Sequence, residues 1–290
     1  MKERRTNCGA EAPEAGEIAA HTVRRIREAR PLIHILTNSV TVTDVVNAVL
    51  ACGASAVCAE DPKESAELAA LADGLLLNIG TPNDRRVEGM LRAADAANRK
   101  GIPVVLDPVG AGASEYRAQI LRRLLADIRF ACIRGNRSEL AAIGGLMGVG
   151  GAAGGDAGRE ESAVPSRGVE ASSPALADEE LRALSRRLSC TLAVTGGTDR
   201  IVTGGEIALC SRGTPLLTRV TGSGCMLSAF IAAALAAGGN DVSSEERHRS
   251  VCDAVLTYDL AAETAEREMC LFGHIGTGTF RMYLIDALSR

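Results

Sequence analysis

Apolar positions along this chain follow two alternating rhythms. Short, mainly apolar runs at Leu32 to Leu36, Gly74 to Ile79, Pro103 to Leu106, Phe130 to Ile133 and Cys190 to Val194 read as strands buried on both faces, and Gly53 to Ala59 reads as a further short strand. Between them the spacing turns helical. Ile18, Val23 and Ile26 mark an amphipathic helix ending near Arg30, where Pro31 stops it. Val42, Val45, Val46, Val49 and Leu50 mark a second, and Pro62 to Leu71 a third. A fourth runs from Asn83 to Lys100, with Gly101 as its C′ residue, and a fifth ends near Ile128. Strand and helix joined by short loops predict a mainly parallel sheet with right-handed crossovers and helices on both faces, a three-layer αβα sandwich.

The second half continues less regularly. A helix over Asp178 to Leu188 precedes the Cys190 strand, and Ile201 to Thr203 pairs with Glu206 to Leu209 as a hairpin around Gly204-Gly205. Leu216 to Val220 leads into Thr221-Gly222-Ser223-Gly224-Cys225, then an Ala-rich apolar helix to Ala237. After a polar break at 238–246, helices are expected over Arg247 to Glu268 and Gly278 to Leu288. From Gly144 to Ala175 the chain carries Gly, Ala, Glu, Ser and Pro with hardly any large apolar residue, so that segment cannot offset its ordering entropy. The expectation is one domain over 1–290, with a flexible tail at 1–14 and a flexible Gly-rich insertion at 144–175.

Composition narrows the function. Of 290 residues, 46% are hydrophobic and 23% charged, the balance of a globular protein with a sizeable core. A net charge of −4, with four Phe, three Tyr and no Trp, supplies neither a basic field nor base-stacking platforms, which argues against nucleic acid as a partner. Nine cysteines without a C-x-x-C pair argue against a disulfide framework or a zinc site. No run reaches the ~20 apolar residues of a membrane span, and no apolar run follows the charged N-terminus, so a cytoplasmic protein with no membrane partner is expected.

Candidate chemistry collects at strand ends. In open α/β sheets ligands bind at the carboxyl edge, and the runs here end in Thr37-Asn38, in Asn78 to Thr81, in Asp107 to Gly112, in Arg134 to Glu139 and in Thr195 to Asp199. Each has a plainer reading: Asn38 suits a helix cap, Asp107 a cap, and Arg134 to Glu139 a capping arrangement with a surface ion pair. Gly222, Ser223 and Gly224, entering a helix, can form a main-chain anion hole or an ordinary turn. Cys225 lies in that helix's first turn, where the dipole favours the thiolate. A guanidinium at Arg134 suits phosphate, and carboxylates at Asp107 and Glu139 suit Mg²⁺. Together they fit phosphoryl transfer to a small hydroxyl compound, and the absence of G-x-x-x-x-G-K-[ST] excludes a P-loop. The four histidines have no ligand-like spacing.

The segments LTNSVTVTDVVNAVLACGAS, LLLNIGT, VVLDPVGAGAS, CIRGNRSEL, LAVTGGTD and VTGSGC, in this order, resemble the hydroxyethylthiazole kinase family of the ribokinase-like superfamily over about residues 30–290, outside the insertion. The resemblance implies a ribokinase-like fold and Mg²⁺-assisted phosphorylation of the hydroxyethyl group of 4-methyl-5-(2-hydroxyethyl)thiazole by ATP. That reaction serves thiamine salvage, in a homotrimer with sites between subunits. Carried over by motif, Arg134, Thr195 and Asn136 would contact ATP, Asp107 and Glu139 the metal, and Gly222 to Gly224 the phosphoryl group. Asn38 and Gly222 would lie on the thiazole side. Cys225 stands where the wider superfamily commonly has an Asp base, so it would orient the acceptor more than deprotonate it. In ASAVCAE, Cys58 replaces the usual Met against the thiazole, and the smaller side chain leaves room for a different or looser acceptor. A hydroxymethylpyrimidine kinase, an ATP-dependent hydrate-repair dehydratase and a silent nucleotide-binding regulator are the alternatives.

Overall fold

The computed structural model describes residues 5–7, 12–150, 175–240 and 242–290. Its strands are β1 (Arg5–Asn7), β2 (Leu32–Leu36), β3 (Ser55–Val57), β4 (Gly74–Asn78), β5 (Val104–Asp107), β6 (Cys132–Asn136), β7 (Thr191–Thr195), β8 (Asp199–Thr203) and β9 (Glu206–Cys210). The helices are α1 (Ala12–Ala29), α2 (Val42–Ala51), α3 (Ser65–Leu71), α4 (Asp84–Lys100), α5 (Glu115–Asp127), α6 (Arg137–Leu146), α7 (Asp178–Leu188), α8 (Ser223–Ala236), α9 (Ser244–Leu271) and α10 (Thr277–Leu288). These strands form one sheet in the order β1-β9-β8-β7-β6-β5-β4-β2-β3. Every neighbouring pair is parallel except the two made by β8.

Period-two alternation assigns the layers. Leu75 and Leu77 enter one apolar cluster with α3 to α7, while Leu76 between them enters the other with α1, α2, α8, α9 and α10. All three are fully buried, which is why β4 reads as an unbroken apolar run. Helix α8 lies in the middle of its layer: every residue from Cys225 to Ala236 is buried, as a helix apolar all round requires. Caps mark the ends where the sequence placed them. The Asn83 side chain accepts from Arg86 N–H, Gly101 takes the left-handed conformation at φ 82°, and Ser243 with Glu246 forms a capping box that starts α9 before the expected Arg247.

Several boundaries differ from expectation. Within the segment read as a tail, residues 5–7 pair with β9 and α1 starts at Ala12, while residues 1–4 and 8–11 lie outside the described residues. Ala15 is buried, extending the apolar stripe of Val23 and Ile26 back by two turns, and an edge strand such as β9 accepts backbone whatever the side chains. Strand β6 runs on through Arg134-Gly135-Asn136 because each pairs with β7, so main-chain bonding outweighs polarity there. Helix α3 begins after an Asp61-capped turn in which Ser65 N–H donates to Asp61 O, and residues 215–219 form a 3-10 turn. Of the segment read as an insertion, 144–146 complete α6 and Val149 packs on the core, as does Leu176 just beyond it. Residues 151–174 lie outside the described residues. Among the described residues no helix is long and apolar enough to cross a membrane.

One close approach ties the edge of the sheet to its helices. A Cβ on Gly89 of α4 would lie 2.2 Å from the Glu60 carbonyl oxygen, whereas a Cβ on Gly101 would meet nothing within 4 Å and suffers only from the left-handed φ. Gly89→Ala is expected to lose about 3 kcal/mol through backbone displacement, and Gly101→Ala about 1 kcal/mol. Urea unfolding midpoints compare the two; equal losses would contradict this account of the packing.

Candidate active site

The carboxyl ends of β4, β5, β6 and β7 lie side by side, and their last residues converge beneath the N-terminus of α8. Register places Asn78 beside Asp107, and Asn136 beside Thr195. Asp107 is wholly buried. Its Oδ2 accepts from Asn78 Nδ2 at 2.8 Å and from Ser228 Oγ at 3.0 Å, while its Oδ1 lies 4.0 Å from Arg134 Nη1 and has no hydrogen-bond partner. Burial pushes the Asp107 carboxyl up to about 6, against the opposing pull of the Arg134 charge. Arg134 in turn donates from Nη2 to Thr195 Oγ1 at 2.7 Å, which aims the guanidinium.

The alternate glycines of Thr221 to Cys225 have separate reasons. Gly222 caps α8 at φ 87°, and a Cβ there would come within 2.6 Å of Thr41 Cγ2. A Cβ on Gly224 would lie 2.2 Å from Arg134 Nη1, so only glycine lets the helix settle onto the guanidinium. Gly224 and Cys225 fall in the first turn, where backbone N–H groups have no intrahelical acceptor and the dipole favours an anion. Ser223 is occupied differently: its N–H donates to Val220 O at 3.2 Å and its hydroxyl to Leu217 O at 2.7 Å, which fixes the preceding 3-10 turn.

Cys225 is buried, and its sulfur accepts from Asn78 Nδ2 at 3.2 Å and Asn38 Nδ2 at 3.5 Å. The helix dipole does not decide the acidity of this thiol. Burial and the neighbouring Asp107 charge outweigh the helix dipole and push the thiol up to about 12. Asn38 Oδ1 accepts from Val40 and Thr41 N–H at 3.1 Å each, closing the turn that leads into α2, while Nδ2 also reaches Asn78 Oδ1 at 3.2 Å.

Glu139 and Asn136 take up the capping alternative. Asn136 Oδ1 accepts from Glu139 N–H, and Glu139 Oε2 accepts from Asn136 N–H at 2.8 Å. Glu139 Oε1 accepts from Gly110 N–H at 2.9 Å, so this buried carboxylate clamps the loop after β5 onto α6. Among the described residues no group of three or more His, Cys, Asp or Glu could hold a metal ion. Mg²⁺ held mainly by water and phosphate needs only one or two carboxylates, and the unpartnered Asp107 Oδ1 fits that role. Cys58 is exposed just past β3, on the same sheet edge but away from this cluster. His34 and His248 are buried and bonded to Ala59 O and Thr203 Oγ1.

Three further residues belong to the site. Asn78, noted only as a polar strand end, is its hub. Ser228 stands three residues after Cys225 in an otherwise apolar helix, a lone hydroxyl on the Cys225 face. Arg117 of α5 donates to Ile79, Gly80 and Val109 carbonyls, the last two at 2.6 Å, joining the loops after β4 and β5. No local pattern marks Arg117, because all its acceptors are backbone.

Residues 23–290 match the model of the hydroxyethylthiazole kinase family. The hydroxyethylthiazole kinase of Clostridium beijerinckii is 37% identical over 268 residues, 92% of this chain and 90% of the relative. The solved structure of hydroxyethylthiazole kinase from Pyrococcus horikoshii OT3 superposes with a TM-score of 0.77 at 32% identity, over 94% of this chain and 93% of that one. A ribokinase-like superfamily protein from Enterococcus faecalis V583 shares the fold at a TM-score of 0.59 and 12% identity, over 90% of this chain and 88% of that one. With a glycine-built helix N-terminus over a buried Asp107–Arg134 pair, and with these matches, the chain belongs to the hydroxyethylthiazole kinase family.

Proposed function

We propose that this chain transfers the γ-phosphoryl group of ATP to the hydroxyethyl group of 4-methyl-5-(2-hydroxyethyl)thiazole. The observation that carries the reading is the free Oδ1 of Asp107, buried 4.0 Å from Arg134 under the first turn of α8. Phosphoryl transfer asks for charge stabilisation and alignment more than covalent help. Arg134 meets nucleotide phosphate oxygens, while the N–H groups of Gly224 and Cys225 meet the transferring group. Mg²⁺, when bound, neutralises phosphate charge, and Asp107 is the residue to hold it directly or through water. Glu139 supports that site by fixing Gly110 and the start of α6. The Cys225 thiol, aligned by two amides, orients the acceptor oxygen and leaves a proton to depart late in a loose transition state. Asn38 and Cys58 flank the acceptor side, where the small Cys58 leaves space.

Two features support wider readings. Phe272, Ile275 and Met282 are exposed around the start of α10, and Arg281 bonds Asp44 of α2 at 3.3 Å, so this apolar surface adjoins the segment carrying Asn38 and the exposed Val40. That suits a homotrimer with acceptor sites between subunits. Free thiols at Cys52, Cys132, Cys190, Cys210 and Cys225, all buried, suit a reducing compartment such as the cytoplasm.

The first test is ADP release with ATP and Mg²⁺, comparing hydroxyethylthiazole, hydroxymethylpyrimidine and no acceptor. Turnover dependent on the thiazole is expected; ADP formed only with the pyrimidine would refute the acceptor assignment, and ATP binding without turnover would indicate a silent regulator. Gly224→Ala pushes on Arg134, and is expected to lower kcat/KM for ATP by about 10²-fold with an unchanged melting temperature. Ser228→Ala removes one of two donors to Asp107 and is expected to cost about tenfold. Because the thiol is neutral, Cys225→Ser should retain activity within about tenfold of wild type, measured as kcat at saturating acceptor; a loss beyond about 10³-fold would make Cys225 an obligatory base.

A further inference from the structure

One stretch of α9 reaches three parts of the nucleotide side at once. Tyr258 donates its hydroxyl to Ser223 O at 2.7 Å, at the start of α8. Glu263 accepts from Gly213 N–H at 2.9 Å and from Arg212 Nη2 at 2.6 Å, holding the loop after β9. Between them Asp259, buried, faces the sheet and accepts from Cys210 Sγ at 3.5 Å. Cys210 pairs in register with Asp199, the first residue of β8, so the Asp199 and Asp259 carboxyls meet beside the same buried thiol and act on each other directly. Asp199 Oδ1 accepts from Gly196 N–H at 2.8 Å, closing the turn that follows Thr195.

Two buried carboxyl groups in contact cannot both be ionised, so the pair holds a proton. Its location follows from the surroundings. Burial raises the Asp199 carboxyl as well, but a backbone N–H and the charges of Arg134 on β6 and Arg137 on α6 pull it toward the ionised form. Asp259 faces Asp199 on β8, the Cys210 thiol on β9 and Glu263 on its own helix, with no cation among its strongest influences. The Asp259 hydroxyl therefore donates to the Asp199 carboxylate. Gly213 packs against the same group: a Cβ there would lie 3.1 Å from Asp259 Oδ1.

We infer that Asp259 is a positioning residue which, as a neutral acid, holds Asp199 and through it the Thr195 to Asp199 turn, and so sets nucleotide affinity. The inference rests on the nucleotide reading of Arg134 and Thr195 above. Thr195 receives Arg134, and Gly196 lies under Arg137, whose Nε is 3.2 Å from where a Cβ would stand. Ionising Asp259 places a second buried negative charge beside Asp199, strains its bond to Gly196 and loosens the turn that aims Arg134.

Burial and the Asp199 charge push the Asp259 carboxyl up to about 8, so the neutral form prevails at neutral pH and is lost as pH rises through that value. The test is KM for ATP and kcat as functions of pH. In the wild type, KM for ATP is expected to rise by up to about tenfold per unit once the proton is lost, while KM for the acceptor stays level. Asp259→Asn keeps a donor to Asp199 that cannot ionise, and should abolish the rise while matching wild type at neutral pH. Asp259→Ala should raise KM for ATP at every pH. An alkaline rise in Asp259→Asn equal to that of wild type would overturn the inference, as would a flat wild-type profile with normal turnover. Infrared spectroscopy of the wild type gives a readout independent of any variant's folding: a protonated carboxyl band that disappears on alkaline titration is expected, and its absence at neutral pH would overturn the proposal. Absence of ATP binding to the wild type by calorimetry would instead defeat the nucleotide reading itself.

Discussion

The structure depends most on keeping a charged carboxylate in a place that water does not reach. Asp107 is wholly buried, and its pKa, raised from 3.8 to about 6, means that the folded state favours the neutral acid more than the unfolded chain does. Stability present below the unfolded pKa is lost as pH rises through the folded one, so at neutral pH Asp107 subtracts on the order of 3 kcal/mol. What limits the loss is the surrounding shell: Asn78 and Ser228 donate to one oxygen, and Arg134 stands across from the other. The second oxygen is left without a hydrogen bond, an arrangement that a purely structural site would avoid and a site awaiting cationic charge would keep.

Helix α8 must therefore satisfy core packing and the catalytic edge together. Its body is apolar on every side because helices α1, α2 and α9 and the sheet surround it, which leaves no solvated face. Its first turn has to approach a guanidinium and a threonine so closely that glycine is required at both 222 and 224. Ser228 is the exception that joins the two demands: the hydroxyl is buried in the core layer, yet its hydrogen reaches Asp107. A core helix pinned so firmly cannot shift its N-terminus, which would preorganise the anion hole proposed there.

The alternation of strands and helices was legible because strands covered on both faces cannot hide among polar residues. The strand-end polar groups were legible for the same reason: Asn38, Asn78, Asp107 and Arg134 interrupt runs that otherwise have none. What stayed hidden depended on distance or on backbone. The strand at 5–7 forms by main-chain pairing with β9, and Arg117 binds only carbonyl groups, so neither leaves a side-chain pattern. Glu139 reads in the sequence as a candidate metal ligand, but its oxygens also accept from Asn136 and Gly110 N–H, and nothing in six consecutive residues discloses a partner 29 positions away. The ionisation of the Cys225 thiol was not legible because the helix dipole is a local property, whereas its burial and its proximity to Asp107 are tertiary ones.

The two halves of the site are braced independently and meet at the same turn. On the acceptor side, Arg86 of α4 binds Glu60 and the Thr81 carbonyl and hydroxyl, and the Thr81 hydroxyl accepts from Ser39 N–H, so the loops after β2, β3 and β4 move as one. On the nucleotide side α9 holds the 196–199 turn, the 212–213 loop and Ser223. Thr41 touches Gly222 from the first half and Tyr258 binds Ser223 O from the second, so both braces end on adjacent residues of the α8 N-terminus. Displacing either brace would therefore move the proposed anion hole relative to one substrate while leaving the other in place. In-line transfer tolerates little such displacement, and this is the physical reason for so many buried polar contacts at an edge that a merely stable sheet would leave apolar.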